Sequence, residues 1–155
     1  MNCKKPYTQG VHVFGCGQCL PCRINRRRIW QARLVLESLM HEHSAFVTLT
    51  YDEENLPKDN SLNPKEFQKW IKRLRKEYSP KKLRYFGVGE YGDKSDRPHY
   101  HAILYGVEPC WKGQSMFDKE GQCCPPCDRI SKTWGKGLVF IGTVTPDSAG
   151  YCSGS

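Results

Sequence analysis

Residues 83–106 read LRYFGVGEYGDKSDRPHYHAILYG, and the fold turns on whether this stretch is a hairpin. LRYFGVGE (83–90) and HYHAILYG (99–106) both read as strands, rich in apolar and aromatic residues. Between them Gly92, Asp93, Asp96 and Pro98 are turn formers. Strands this close in sequence usually pair antiparallel. Side chains alternate along a strand, so His99 and His101 share one face. Two imidazoles on one face build a poor core and a good metal seat. The plainer alternative is a pair of exposed or hydrogen-bonded histidines on a sheet surface. In a hairpin, Glu90 at the end of the first strand falls near His99 at the start of the second. Glu90, His99 and His101 then converge, a donor set that suits Mg, Mn or another divalent ion with open positions better than a closed structural zinc. A turn-bonded carboxylate is the other reading of Glu90.

Outward from the hairpin, NPKEFQKWIKRLRKEY (63–78) is the clearest helix. Asn63 is a candidate N-cap, Pro64 suits the first helical position, and Glu66 occupies the capping-box site. Phe67, Trp70, Ile71, Leu74 and Tyr78 form one apolar stripe. AFVTLTY (45–51) alternates as a strand, with Thr48 and Thr50 on one face. GLVFIG (137–142) is a further strand. A helix is expected from about Arg23 to Glu42, strongly basic in its first half, and another from Thr145 as cap and Pro146. Residues 107–135 read as a cysteine-bearing insertion. The expected fold is α+β: a central, mostly antiparallel sheet of four to five strands with flanking helices. One domain is expected over 1–155, with a Cys-rich zinc-binding arm at 1–22.

The 155 residues carry 24 Lys plus Arg against 16 Asp plus Glu, a formal charge of +8. Such a balance favours an acidic partner, most simply nucleic acid. No apolar run approaches the roughly 20 residues of a membrane helix, and the N-terminus lacks a secretory signal. Nine cysteines, odd in number and clustered, suit metal better than a disulfide framework. Cys16, Cys19 and Cys22 are spaced C-x2-C-x2-C, with Cys3 upstream. Cys110, Cys123, Cys124 and Cys127 form a second group. Four thiolates make a tetrahedral zinc site, so one or two structural zinc ions are expected; free thiols are the alternative. An iron–sulfur run expects its next cysteine where Arg26 stands. There is no internal repeat: Cys3 to Cys16 and Cys110 to Cys123 share a spacing, but their flanking residues do not match.

A basic protein with an open divalent site points to phosphodiester chemistry, in which the ion acts as a Lewis acid. The nucleophile is then water or a tyrosine, whose phenolate can form a covalent phosphoester. Tyr151 sits in the expected last helix. A tyrosine there is also what ordinary packing uses.

FVTLTYDEENLP, GVGEYG…RPHYHAILYG and AGYCSG, in that order, resemble the HUH endonucleases, and with CGQCLPCRINRRRIWQARLVLE ahead of them they are most similar to the replication initiators of small single-stranded DNA phages of the gokushovirus-like Microviridae. The resemblance implies a ferredoxin-like (RRM-like) sheet and a metal-dependent nickase that starts rolling-circle replication and becomes joined to a 5′ phosphate through tyrosine. It implies His99, His101 and Glu90 as ligands of Mg or Mn, and Tyr151 as nucleophile. Arg23, Arg26, Arg27 and Arg28, with Thr48, Thr50 and Arg97, are the expected DNA contacts. Single-stranded origin DNA, host replication helicase or polymerase, and the cytoplasm of an infected bacterium follow as expected partners and place. The family pattern is Tyr-x-x-x-Tyr followed by lysines. Here the matching position is Ser155, and the chain is expected to be truncated there. A non-catalytic zinc-stabilised nucleic-acid-binding module and a water-using metal phosphodiesterase are the competing readings.

Overall fold

A computed structural model describes residues 2–92, 96–117 and 123–152, with Met116, Phe117 and Tyr151 through their backbone alone. The chain opens with a short hairpin, β1 (Tyr7–Gln9) and β2 (His12–Phe14), and a long helix, α1 (Leu20–Leu39). Then come β3 (Ser44–Leu49), α2 (Pro64–Tyr78), β4 (Arg84–Tyr91) and β5 (Pro98–Tyr105). The last elements are β6 (Ser115–Phe117), α3 (Pro125–Trp134), β7 (Val139–Thr143) and α4 (Pro146–Cys152). The main sheet runs β4-β5-β3-β7-β6, and every neighbouring pair is antiparallel. Taken alone, β3-α2-β4-β5-α3-β7 is a ferredoxin-like βαββαβ unit, to which β6 adds an edge.

Alternation splits the core in two. Ala45, Val47 and Leu49 of β3 face α2 and α3, where Trp70, Ile71, Leu74, Ile130 and Trp134 are buried. Phe46, between them in sequence, faces the other side with Ile103, Tyr105, Leu34 of α1 and Ala149 of α4. Strand β5 is covered on both faces, which accounts for its apolar run. The buried indoles keep their N–H groups paired: Trp134 Nε1 donates to Thr50 O at 2.7 Å and Trp70 Nε1 to Thr133 Oγ1 at 3.1 Å. Gly87 of β4 lies directly under the Phe67 ring. A Cβ there would sit 2.8 Å from Phe67 Cε1, so only glycine lets α2 approach this closely.

Asn63 caps α2, its side chain accepting from Lys65 N at 3.1 Å. Glu66 does not complete the capping box. Its carboxylate accepts from the Tyr51 hydroxyl and pairs with Lys136 at 3.6 Å. Thr145 caps α4 by accepting from Ser148 N at 3.1 Å. Helix α1 begins at Leu20, three residues earlier than expected, because Pro21 fits a first turn whose N–H groups need no helical partner. Residues 107–135 are not merely an insertion. They hold β6 and α3, and α3 is the second crossover helix of the central unit. Cys127, Ile130 and Trp134 form its buried stripe, a period hidden in the sequence by the Pro-Pro pair and the cysteines. No helix among the described residues is long and apolar enough to cross a membrane.

Candidate metal centre

The β4–β5 register sets Glu90 opposite His99 and Val88 opposite His101. Pleat alternation therefore puts Glu90, His99 and His101 on one face. Glu90 Oε1 lies 2.9 Å from His99 Nε2 and 2.7 Å from His101 Nε2. The two rings are 4.9 Å apart and nearly perpendicular. One ligand atom from each residue falls within 4.8 Å of the others, an arrangement that can hold a metal ion. Two imidazole nitrogens and one carboxylate oxygen leave coordination positions open to substrate and water, as Mg or Mn would require.

The outer partners are in place as well. His101 Nδ1 is 2.9 Å from Thr48 Oγ1, and Phe46 stacks on the His101 ring at 5.7 Å. His99 Nδ1 is 3.4 Å from the Arg97 carbonyl oxygen. Burial lowers the His101 pKa below its ordinary value, against the pull of the Glu90 carboxylate. Burial alone would raise Glu90, but its hydrogen bonds with His99 and His101 outweigh that and hold the carboxyl below its usual range. Both shifts favour the deprotonated groups that a cation needs.

A cleft of about 490 Å³ opens beside His99, lined by Thr50, Asp52, Glu53, Arg97 and Leu138 among others. Arg97 is tied down within it, donating to Glu53 Oε1 and Tyr51 O at 2.8 Å each. Thr50 Oγ1 donates to Leu138 O at 2.8 Å. Helix α4 lies on the histidine face. Its Ala149 and Cys152 are fully buried beside Ile103 and Tyr105. Burial, with the Glu90 charge nearby adding to it, pushes the Cys152 thiol up to about 12. Tyr151, adjacent in sequence, is placed in this helix by its backbone; Ser155 lies outside the described residues.

The basic half of α1 is exposed at Arg23, Arg26, Arg27 and Arg28. Arg26 donates to Gly17 O at 2.8 Å, and Arg27 borders a cleft of about 310 Å³ with Gln31, Pro146, Asp147 and Gly150 of α4. The basic surface and the tyrosine-bearing helix are therefore neighbours. The two cysteine groups also assemble: Cys3, Cys16, Cys19 and Cys22 in one place, Cys110, Cys123, Cys124 and Cys127 in another, each within reach of a single ion. Thr48 as the partner of His101 was not evident in the sequence. The signal was the β3–β5 register, Thr48 opposite His101, which requires knowing that these distant strands pair.

A ferredoxin-like antiparallel sheet with His-hydrophobe-His on a central strand and a carboxylate beside it is the architecture of the HUH class. The sequence profile of the replication-associated protein ORF2 family matches residues 44–154, and the chain belongs to that family. It is 35% identical over 146 residues to the replication-associated protein VP4 of Bdellovibrio phage phiMH2K, covering 90% of this chain and 46% of that protein. It is 33% identical to the replication-associated protein ORF2 of Spiroplasma virus 4, over 88% of this chain and 45% of that one. With the replication-associated protein ORF4 of Chlamydia phage 1 it shares 35% identity over 61% of this chain and 24% of that protein. The chain spans about half the length or less of these curated relatives. No solved structure matches it.

Proposed function

We propose that this chain is the nicking domain of a rolling-circle replication initiator, a single-stranded DNA nickase and strand transferase. The observation that carries the reading is the convergence of Glu90, His99 and His101 on the sheet face that also supports α4, the helix of Tyr151. His99 Nε2, His101 Nε2 and Glu90 Oε1 are the atoms that would hold Mg or Mn. When bound, such an ion supplies positive charge against the scissile phosphate. The Tyr151 phenolic oxygen attacks phosphorus and loses its proton. A tyrosine–phosphate bond forms, the bond to the 3′ oxygen breaks, and that oxygen leaves as a free hydroxyl after taking up a proton. Rejoining is the same step reversed. Arg23, Arg26, Arg27 and Arg28 hold the DNA through phosphates, with Thr50 and Arg97 lining the cleft beside His99 and Thr48 steadying His101. The substrate is origin DNA, met in the cytoplasm of an infected bacterium together with host helicase or polymerase.

The test is incubation with single-stranded oligonucleotides spanning the phage origin and Mn, read on a denaturing gel. The expected product is a covalent protein–DNA band, mapped to Tyr151 and lost in Tyr151→Phe. Cleavage without a covalent band would favour a water-using phosphodiesterase. Salt-sensitive binding alone would favour a non-catalytic module.

A further inference from the structure

We propose that the chain carries two structural zinc sites built on one plan, Cys3–Cys16–Cys19–Cys22 and Cys110–Cys123–Cys124–Cys127. In each, the first two cysteines are 13 residues apart, and a C-x2-C pair then opens a helix. Cys19 is the N-cap of α1 and Cys22 stands in its first turn; Cys124 is the N-cap of α3 and Cys127 stands in its first turn. Both helices carry proline in that turn, and neither N-cap makes a side-chain capping hydrogen bond. The thiols that replace the usual capping residue face their own cluster.

The distances fit one ion. Sulfurs on a tetrahedral zinc with bonds of about 2.3 Å are about 3.8 Å apart. Cys19 and Cys3 Sγ are 3.8 Å apart, Cys16 and Cys22 Sγ 4.0 Å, and Cys110 and Cys123 Sγ 3.8 Å. These separations are far too long for disulfides. A multi-iron cluster, whose cysteines bind different irons, needs them wider still. Backbone N–H groups point at the sulfurs, as they do at thiolates. Lys5 N donates to Cys3 Sγ at 3.3 Å and Lys112 N to Cys110 Sγ at 3.4 Å, the same offset of two in both clusters. Cys16 N reaches Cys3 Sγ at 3.2 Å, Cys19 N reaches Cys16 Sγ at 3.3 Å, and Trp111 N reaches Cys124 Sγ at 3.5 Å. Four thiolates on a divalent ion carry two net negative charges, which the positive N-termini of α1 and α3 favour.

The sites do different jobs. No described residue from 2 to 19 is buried, and both strands of the β1–β2 hairpin are exposed throughout. A segment without a core needs a staple, and the first cluster is the one available. It fixes the hairpin to the start of the basic helix. The second cluster is embedded: Cys110, Cys124 and Cys127 are buried against Ile130 and Trp134. It ties the start of α3 to the chain leaving β5. Neither role depends on DNA cleavage.

The test is metal analysis of the full chain purified without added zinc, with X-ray absorption at the zinc edge. The expected result is two zinc ions per chain, each with four sulfurs at about 2.3 Å. Cys22→Ser and Cys127→Ser should each remove one ion. Cys22→Ser should speed amide exchange over residues 2–19 and spare the sheet. If Cys127→Ser does not fold, growth in cobalt provides a second readout, with thiolate-to-cobalt bands of two tetrahedral sites in the unaltered chain. All nine cysteines reacting freely in the folded, metal-free protein would overturn the proposal. One zinc per chain, or iron in place of zinc, would overturn it equally.

Discussion

Replacing Thr48 with valine probes the metal centre without touching a ligand. When His101 binds a cation through Nε2, its proton sits on Nδ1 and is donated to Thr48 Oγ1, 2.9 Å away. Valine keeps the shape and β-propensity of threonine and removes the acceptor. Partners of this kind are worth roughly 10- to 100-fold in metal affinity, or about 1.4–2.8 kcal/mol. Loss of one neutral hydrogen bond adds about 1 kcal/mol of destabilisation. Thr48→Val should therefore bind Mn about ten times more weakly or worse, while unfolding only a few degrees earlier. Thr48→Ser, which keeps the hydroxyl, should recover most of the affinity. Titration of the folded proteins with Mn, following free Mn by electron paramagnetic resonance, gives the constants directly. Parental affinity in the valine variant, or equal weakness in the serine variant, refutes the reasoning.

His99→Ala and His101→Ala should each abolish nicking in Mn yet leave salt-dependent oligonucleotide binding largely intact, since phosphate contacts come from Lys and Arg; normal cutting by either variant on a denaturing gel removes that histidine from the site. Without added Mg or Mn, folding stability should fall with acid in two stages. Burial depresses His101, so the unfolded chain takes up that proton first, and stability present above about 6.5 declines below it; Glu90, also depressed, adds a second loss below about 4.5. Denaturant melts from pH 8 to 4 measure this, and a flat profile counts against it. Gly87→Ala should cost about 1–3 kcal/mol, because Phe67 is held by the rings of Trp70 and Tyr100 and has little room to yield. A thermal melt reads the loss, which a second change of Phe67→Leu should reduce.

The hairpin and the donor set were legible because local rules determine both. Turn residues fixed the β4–β5 connection, and a period of two put Glu90 beside His99. The same holds for α2, whose cap and stripe lie within one short segment. What escaped was non-local. Helix α3 was obscured because proline and cysteine dominate its first turn, and its apolar stripe makes sense only once the sheet it covers is known. Glu66 left the capping box because Tyr51, distant in sequence, competes for its carboxylate. The place of Arg97 followed from a fold-back onto Glu53 and Tyr51 that no spacing announces.

Helix α1 lies before the segment 44–154 that the family profile recognises, yet it roofs the histidine face. Leu34 packs there with Phe46, Ile103 and Ala149, and its carbonyl accepts from the Tyr105 hydroxyl at 2.9 Å. Gln31 reaches the Pro146 carbonyl at the start of α4, and Glu37 pairs with Arg84 of β4 at 2.7 Å. The unit defined by shared ancestry is thus smaller than the unit that can fold. A fragment cut at Ser44 would keep Glu90, His99 and His101 but turn Phe46 and Ile103 toward water and leave α4 without its main support. Any relative that shares only the profiled segment must supply another wall for the same face.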